Sequence, residues 1–98
     1  MNSPPVLAKV LKRLDITKDV HSFLKDVQVK QFRQVGQKVL SLLADPEPND
    51  ATPLKGYDYW RADVGEYRIV YRFDDETVYV VLIAKRNDDE VYKKLDRK

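Results

Sequence analysis

Residues 57–84 read YDYWRADVGEYRIVYRFDDETVYVVLIA, and this stretch decides the fold. From Tyr57 to Val64 apolar and polar residues alternate, the period of a strand with one buried face. Gly65-Glu66 breaks the pattern as a two-residue turn. Tyr67 to Phe73 alternates again, and Asp74-Asp75-Glu76 makes a second turn. Thr77 to Ala84 is almost continuously apolar, as a strand covered on both faces must be. The segment therefore predicts a three-stranded antiparallel meander.

The first turn sets a register. If Gly65-Glu66 is a two-residue turn, Val64 faces Tyr67, Ala62 faces Ile69 and Trp60 faces Tyr71. These six make one apolar face for helices to cover, with Trp60 packed beside Tyr71 and Phe73. The opposite face carries Tyr59, Arg61, Asp63, Arg68, Val70 and Arg72. Three arginines on adjacent strands repel one another, so a function is one reading. Surface pairing with Asp58, Asp63 and Glu66 is the ordinary alternative. The place of Arg86 hangs on the second turn. A three-residue turn puts Val78, Val80, Leu82, Ala84 and Arg86 on the arginine side. A two-residue turn puts Arg86 on the other side, unless a bulge shifts the parity.

Upstream, the pattern is helical. Thr17 is a good N-cap and Asp19 stands in a first turn, where the helix dipole favours an acid. Val20, Phe23, Leu24 and Val27 follow at helical spacing. A second stripe runs through Val29, Phe32, Gly36, Val39, Leu40 and Leu43, ending near Ala44 before Asp45-Pro46. Gly36 leaves a gap where another element can approach closely. Residues 45–53 read as a loop. Residues 6–16 fit two patterns: Val6, Leu7, Val10, Leu11 and Leu14 make a helical stripe, whereas Arg13 to Thr17 alternates as a short strand ending near Ile16, the favoured reading, with residues 1–12 a loose or edge-strand extension. Downstream, Asp88 caps a short final helix through Leu95. The expected architecture is α+β: an N-terminal helical hairpin on one face of a small antiparallel sheet, built from the meander plus an N-terminal strand, and a short C-terminal helix.

Composition narrows the function. The 98 residues suit one domain, 1–98, and a single core. With 43% hydrophobic and 35% charged residues the chain reads as a soluble globule. Cys is absent and His occurs once, which excludes disulfides, thiolate zinc sites, cysteine nucleophiles and multi-histidine sites. His21 reads as a helix-surface residue. Asp88, Asp89 and Glu90 lack further ligands for a metal, so neither a metal nor a cofactor is expected. No membrane span or signal peptide is read, and the expected compartment is the cytoplasm. The net charge of +2 hides an asymmetry. Residues 1–44 hold eight Lys or Arg against three Asp or Glu, whereas residues 45–98 hold ten against thirteen. Lys9, Lys12, Arg13, Lys25, Lys30, Arg33 and Lys38 are candidates to grip nucleic-acid phosphates, though each alone is more often a solvated helix residue.

An ordered set of motifs adds a family resemblance. Leu54-Lys55-Gly56, Trp60-Arg61, Val64-Gly65-Glu66-Tyr67-Arg68-Ile69-Val70-Tyr71-Arg72, Lys85-Arg86 and Glu90-Val91-Tyr92 together resemble the RelE/ParE superfamily of bacterial type II toxin–antitoxin toxins, and the RelE branch more than the ParE branch. The resemblance covers about residues 17–95. It implies a ribosome-dependent endoribonuclease that cuts mRNA in the ribosomal A site, neutralised by a cognate antitoxin. The catalytic pattern would fall on Arg61, Arg68, Arg86 and Tyr92, with Tyr59, Arg72 and Lys85 beside them as RNA contacts. Tyr59 stands where that pattern has a basic residue, which leaves the general base open between Tyr59 and Tyr92. It also keeps two alternatives alive: a ParE-like gyrase inhibitor, and an inactive toxin acting only through its antitoxin complex. Arginines suit the expected chemistry, since each guanidinium can fork onto two phosphate oxygens as the phosphorane gains charge.

Overall fold

The computed structural model describes residues 11–96, and the side chains of residues 88–90 are not described. Residues 1–10, and with them Lys9 and most of the expected N-terminal extension, lie outside the described part. The chain runs β1 (Arg13–Ile16), α1 (Lys18–Asp26), α2 (Val29–Ala44), β2 (Ala51–Pro53), β3 (Trp60–Val64), β4 (Tyr67–Phe73), β5 (Thr77–Lys85) and α3 (Asp88–Asp96). The five strands form one mixed sheet in the order β1-β5-β4-β3-β2. The β1 strand lies parallel to β5, with Ile16 opposite Val80, and the other pairings are antiparallel.

The α+β architecture is as the sequence reads. Thr17 caps α1 by accepting the Val20 N–H at 3.2 Å. The hairpin register is the expected one, with Trp60 opposite Tyr71, Ala62 opposite Ile69 and Val64 opposite Tyr67. Gly65 takes φ +58°, the left-handed region this tight turn needs. At the second turn Asp74 Oδ1 accepts the N–H groups of Glu76 and Thr77, and the Glu76 carbonyl accepts the N–H of Arg13 in β1 at 2.8 Å. The helices of the hairpin bury Val20, Val35, Val39, Leu42 and Leu43 against Ala62, Ile69, Tyr71, Val78, Val80 and Ile83. Tyr71 is wholly buried there, and its hydroxyl donates to the Pro46 carbonyl at 2.7 Å.

Five details differ from the expectation. The sheet is mixed and not antiparallel throughout, because β1 lies parallel to β5. Residues 51–53, part of the stretch read as loop for Pro46, Pro48 and Pro53, add an edge strand beside β3, since an edge tolerates Pro. The first meander strand starts at Trp60, because Leu54 to Tyr59 folds into a turn with Gly56 at φ +84°. A Cβ placed on Gly36 would meet nothing within 4 Å, so no element closes on that glycine. The last helix begins at Asp88, with Asn87 in the capping position and its carbonyl accepting the Val91 N–H at 3.0 Å.

A β-bulge resolves the parity question. Phe73 pairs with Val78, and Tyr71 with Val80, but Val70 pairs with Leu82. Val81 is the extra residue. Before it, Val78 and Val80 face the helical hairpin; after it, Leu82 and Ala84 face the other way. That second face is not bare. Leu54, Val70, Leu82 and Ala84 bury against Val91 and Leu95 of α3, a small second core. The sheet is therefore sandwiched, and α3 lies over part of the face that carries the arginines.

Candidate functional site

Arg68 and Asp63 are directly opposed across β3 and β4. Their side chains lie on the face away from the helical hairpin, as strand alternation requires. The Arg68 guanidinium donates from Nε to Asp63 Oδ1 at 2.8 Å and from Nη2 to Oδ2 at 3.3 Å. Past the bulge, β5 carries Arg86 to the same end of that face, where its Nε lies 3.3 Å from Asp63 Oδ2. The Glu66 carbonyl accepts the Arg86 N–H at 2.9 Å and ties the end of β5 to the first turn. One carboxylate thus joins two guanidinium groups. Hydrogen bonding from Arg68, and then the charges of Arg68, Arg86 and Arg61, hold the Asp63 carboxyl below the usual carboxylate range against partial burial.

Exposure grades the cluster. Arg68 is 7% exposed, so it is no surface ion pair. The Arg86 side chain is 53% exposed. Arg61 is half-buried one pleat further along β3, opposite Val70. The structure thus brings Arg68 and Arg86 together on Asp63, with Arg61 on the same face two residues along β3, and the ordinary alternative of acid pairing holds for Asp63 at the same time.

Tyr92 sits elsewhere. Its ring stacks on Tyr57 at 5.5 Å between centroids, and Tyr57 stacks on Tyr59 at 6.3 Å. The three tyrosines flank the second core, and the Tyr57 hydroxyl bonds to the carboxylate of Asp96 in α3. That bond is the main cause holding the Tyr57 hydroxyl above its ordinary range. Tyr57 is absent from the sequence-derived set; its signal was the i, i+2 spacing with Tyr59. The aromatic partner of an arginine is instead Tyr79, whose ring lies 3.9 Å beneath the Arg72 guanidinium carbon.

The remaining candidates scatter. Lys25, Lys30, Arg33 and Lys85 are exposed. Lys38 is tied to Asp50 at 2.5 Å, and this bond lowers the Asp50 carboxyl from its ordinary range. Lys12 donates to the Asp75 carbonyl at 2.7 Å, and Arg13 lies 3.6 Å from Glu76. No group of three acidic or histidine side chains placed to hold a metal occurs among the described residues. None of the described helices is long and apolar enough to cross a membrane.

A second surface lies on the hairpin side. Leu14 and Ile16 of β1, with Leu24, Phe32, Gly36 and Leu40 of the helices, line an apolar groove floored by Val20, Val39, Val80 and Ile83. Leu14, Ile16, Phe32 and Leu40 are each at least 40% exposed.

The chain belongs to the RelE/ParE superfamily: the family model described as the ParE toxin of type II toxin–antitoxin system, parDE, matches residues 8–90. Solved structures share the fold. RelE of the archaeal RelE–RelB complex from Pyrococcus horikoshii OT3 is 24% identical with a TM-score of 0.69, over 80% of this chain and 98% of that one. A mutant of the E. coli toxin RelE in the free state is 22% identical with a TM-score of 0.70, over 86% and 93%. The YoeB/ParE toxin from Agrobacterium tumefaciens is 20% identical with a TM-score of 0.64, over 76% and 99%. Among curated proteins no sequence matches.

Proposed function

We propose that this toxin is a ribosome-dependent endoribonuclease that cuts mRNA in the ribosomal A site. The observation that carries the reading is the convergence of Arg68 and Arg86 on Asp63, with Arg61 on the same face of β3 two residues away. Metal-free RNA cleavage uses the 2′-hydroxyl as nucleophile on the adjacent phosphorus, with the 5′-oxygen leaving in line. Bond making and breaking pile negative charge on the phosphoryl oxygens, and fixed guanidinium groups stabilise that charge. Arg86, the more exposed, meets the phosphate first; Arg68, projecting from β4 and nearly buried, completes the clamp. An arginine stays protonated and makes a poor base. The proton of the 2′-hydroxyl is assigned to the phenolate form of a tyrosine, Tyr92 or Tyr59, whose rings flank the neighbouring part of the face, and the leaving 5′-oxygen takes a proton from water.

Among the described residues the arginine face has no enclosed substrate pocket, so in this reading the ribosome supplies the alignment. Exposed Lys25, Lys30 and Arg33 on the hairpin, with Lys85 at the end of β5, are the phosphate contacts to ribosomal RNA. The compartment is the cytoplasm, where ribosomes are. The cognate antitoxin is the protein partner, and the apolar groove between β1 and the hairpin is where its apolar segment docks. RelE relatives crystallised with RelB antitoxins support such a partner.

The test is a cell-free translation reaction with mRNA 5′ ends mapped by primer extension. Arg86→Ala is the primary variant, since its half-exposed side chain contributes little to folding. Cuts at A-site codons that need ribosomes, and that fall at least about 100-fold in Arg86→Ala, are expected. Intact mRNA with the wild-type protein ends this reading. The match to the ParE family model and the tyrosine at position 59 favour a second reading, inhibition of DNA gyrase, which a supercoiling assay then decides.

A further inference from the structure

Asp63 presents to two arginines what an RNA phosphodiester would present. Both groups carry one negative charge over two equivalent terminal oxygens, and both take the Nε–Nη2 edge of a guanidinium as a fork. In the free protein that edge of Arg68 is spent on the two oxygens of Asp63, at 2.8 and 3.3 Å. Oδ2 also lies 3.3 Å from Arg86 Nε. A carboxylate needed merely to neutralise a buried arginine would serve Arg68 alone. Here a second, half-exposed guanidinium is drawn onto the same oxygen, and Arg61 adds a third positive charge to its surroundings. The Asp63 side chain is itself 30% exposed, so an anion from solvent can reach the contacts it holds.

We propose that Asp63 is an internal anion seated where the substrate phosphate must bind: it holds Arg68 and Arg86 together in the free toxin and sets how readily the site takes RNA. The proposal rests on the clamp role given above to Arg68 and Arg86. Asp63 is a positioning residue, acting through them. A bound phosphate exchanges with it, Arg86 first, because Arg86 is the more exposed and its side chain is the freer to turn. The free toxin then binds RNA weakly. The ribosome, by presenting one phosphodiester in place, shifts the competition.

The first experiment uses a single-stranded RNA oligonucleotide with 2′-O-methyl groups, which binds but cannot be cut, and reads binding by fluorescence anisotropy against salt. Asp63→Asn keeps an acceptor for Arg68 Nε and removes the charge. It should bind about tenfold more tightly at low salt, with the slope of log K against log salt steeper by about 0.7, one added phosphate contact on a single strand. Asp63→Glu, which keeps the charge, should bind as the wild type does. An Asp63→Asn protein that melts cooperatively yet binds no tighter, with an unchanged slope, overturns the proposal. So does an Asp63→Asn protein that binds as the wild type but cleaves less, which would make Asp63 an orienting group alone. Should Asp63→Asn fail to fold, the wild type is titrated with inorganic phosphate while the arginine Nε–H signals are followed by NMR. Movement of the Arg86 signal ahead of Arg68 is the expected result, and signals that stay fixed refute the exchange. These readouts need no cleavage, so they separate this proposal from the nuclease reading. A wild type that fails to cut mRNA on ribosomes sinks the nuclease reading, while the phosphate titration still judges the exchange.

Discussion

Asp63 and Arg68 show how burial changes what an ion pair is worth. On an open surface such a pair contributes little, because water screens it. On this sheet face, with Arg68 almost out of solvent, removing one partner strands a charge in a poorly solvated place. The pH consequence has a definite sign. The folded-state carboxyl of Asp63 is lowered by Arg68 and Arg86, so its contribution is fully present above the unfolded carboxylate range and is lost as pH falls through the folded value. In urea unfolding the wild type should exceed Asp63→Asn by about 1–2 kcal/mol near neutrality, and the gap should shrink below about pH 4. A gap constant down to strongly acid pH would mean that the charge of Asp63 does not act in folding. Residue chemistry also explains why Asp63 was legible in part. Its pairing with an arginine follows from the register Val64–Tyr67, which the two residues Gly65 and Glu66 already specify. Its sharing with Arg86 does not follow, because position 86 lies beyond the strand whose parity was undecided.

Elements were legible wherever one local signal dominated. Thr17, Asp19 and the apolar spacing from Val20 to Val27 start and orient α1, and the Thr17 hydroxyl does accept the Val20 N–H. Thr17 is also bound into the sheet: its N–H donates to the Val80 carbonyl at 3.3 Å and its hydroxyl to the Val81 carbonyl at 3.1 Å. The hydroxyl thus joins the helix start to the bulge. Thr17→Ala should therefore cost about 1–2 kcal/mol in chemical denaturation, at the upper end for a cap, whereas Thr17→Ser, which keeps the oxygen, should recover most of it. Equal losses in both variants would assign the effect to the methyl group. The bulge at Val81 had no local signal. Val80-Val81-Leu82-Ile83 is apolar at every position, so sliding the partner by one residue changes no polarity along the strand. Short β2 went unread for a related reason: Ala51, Thr52 and Pro53 form a strand because β3 offers an edge.

At the scale of the whole molecule two surfaces stand on opposite sides of the sheet. The arginine face is partly roofed by α3, and the hairpin face ends in an open apolar groove beside β1. Phe32 and Leu40, half exposed, would leave water if a partner's apolar segment filled that groove. Phe32→Asp should weaken the complex with the cognate antitoxin by at least about 30-fold in a calorimetric titration while leaving ribosome-dependent cleavage near wild type. Unchanged affinity would move the antitoxin contact off the groove. The sequence alone determined the α+β class, the two helices of the hairpin, the meander and its first register, because periodicity, caps and a two-residue turn are local rules that neighbouring residues enforce. The tertiary structure alone decided that the sheet gains β2, that a bulge at Val81 delivers Arg86 to the side of Arg68, and that α3 covers Val70, Leu82 and Ala84. The physical reason is common to all three. Each depends on which distant surface a strand apolar on both faces, or an unpaired edge, finds to pack against, and that choice is made by burial across the whole domain.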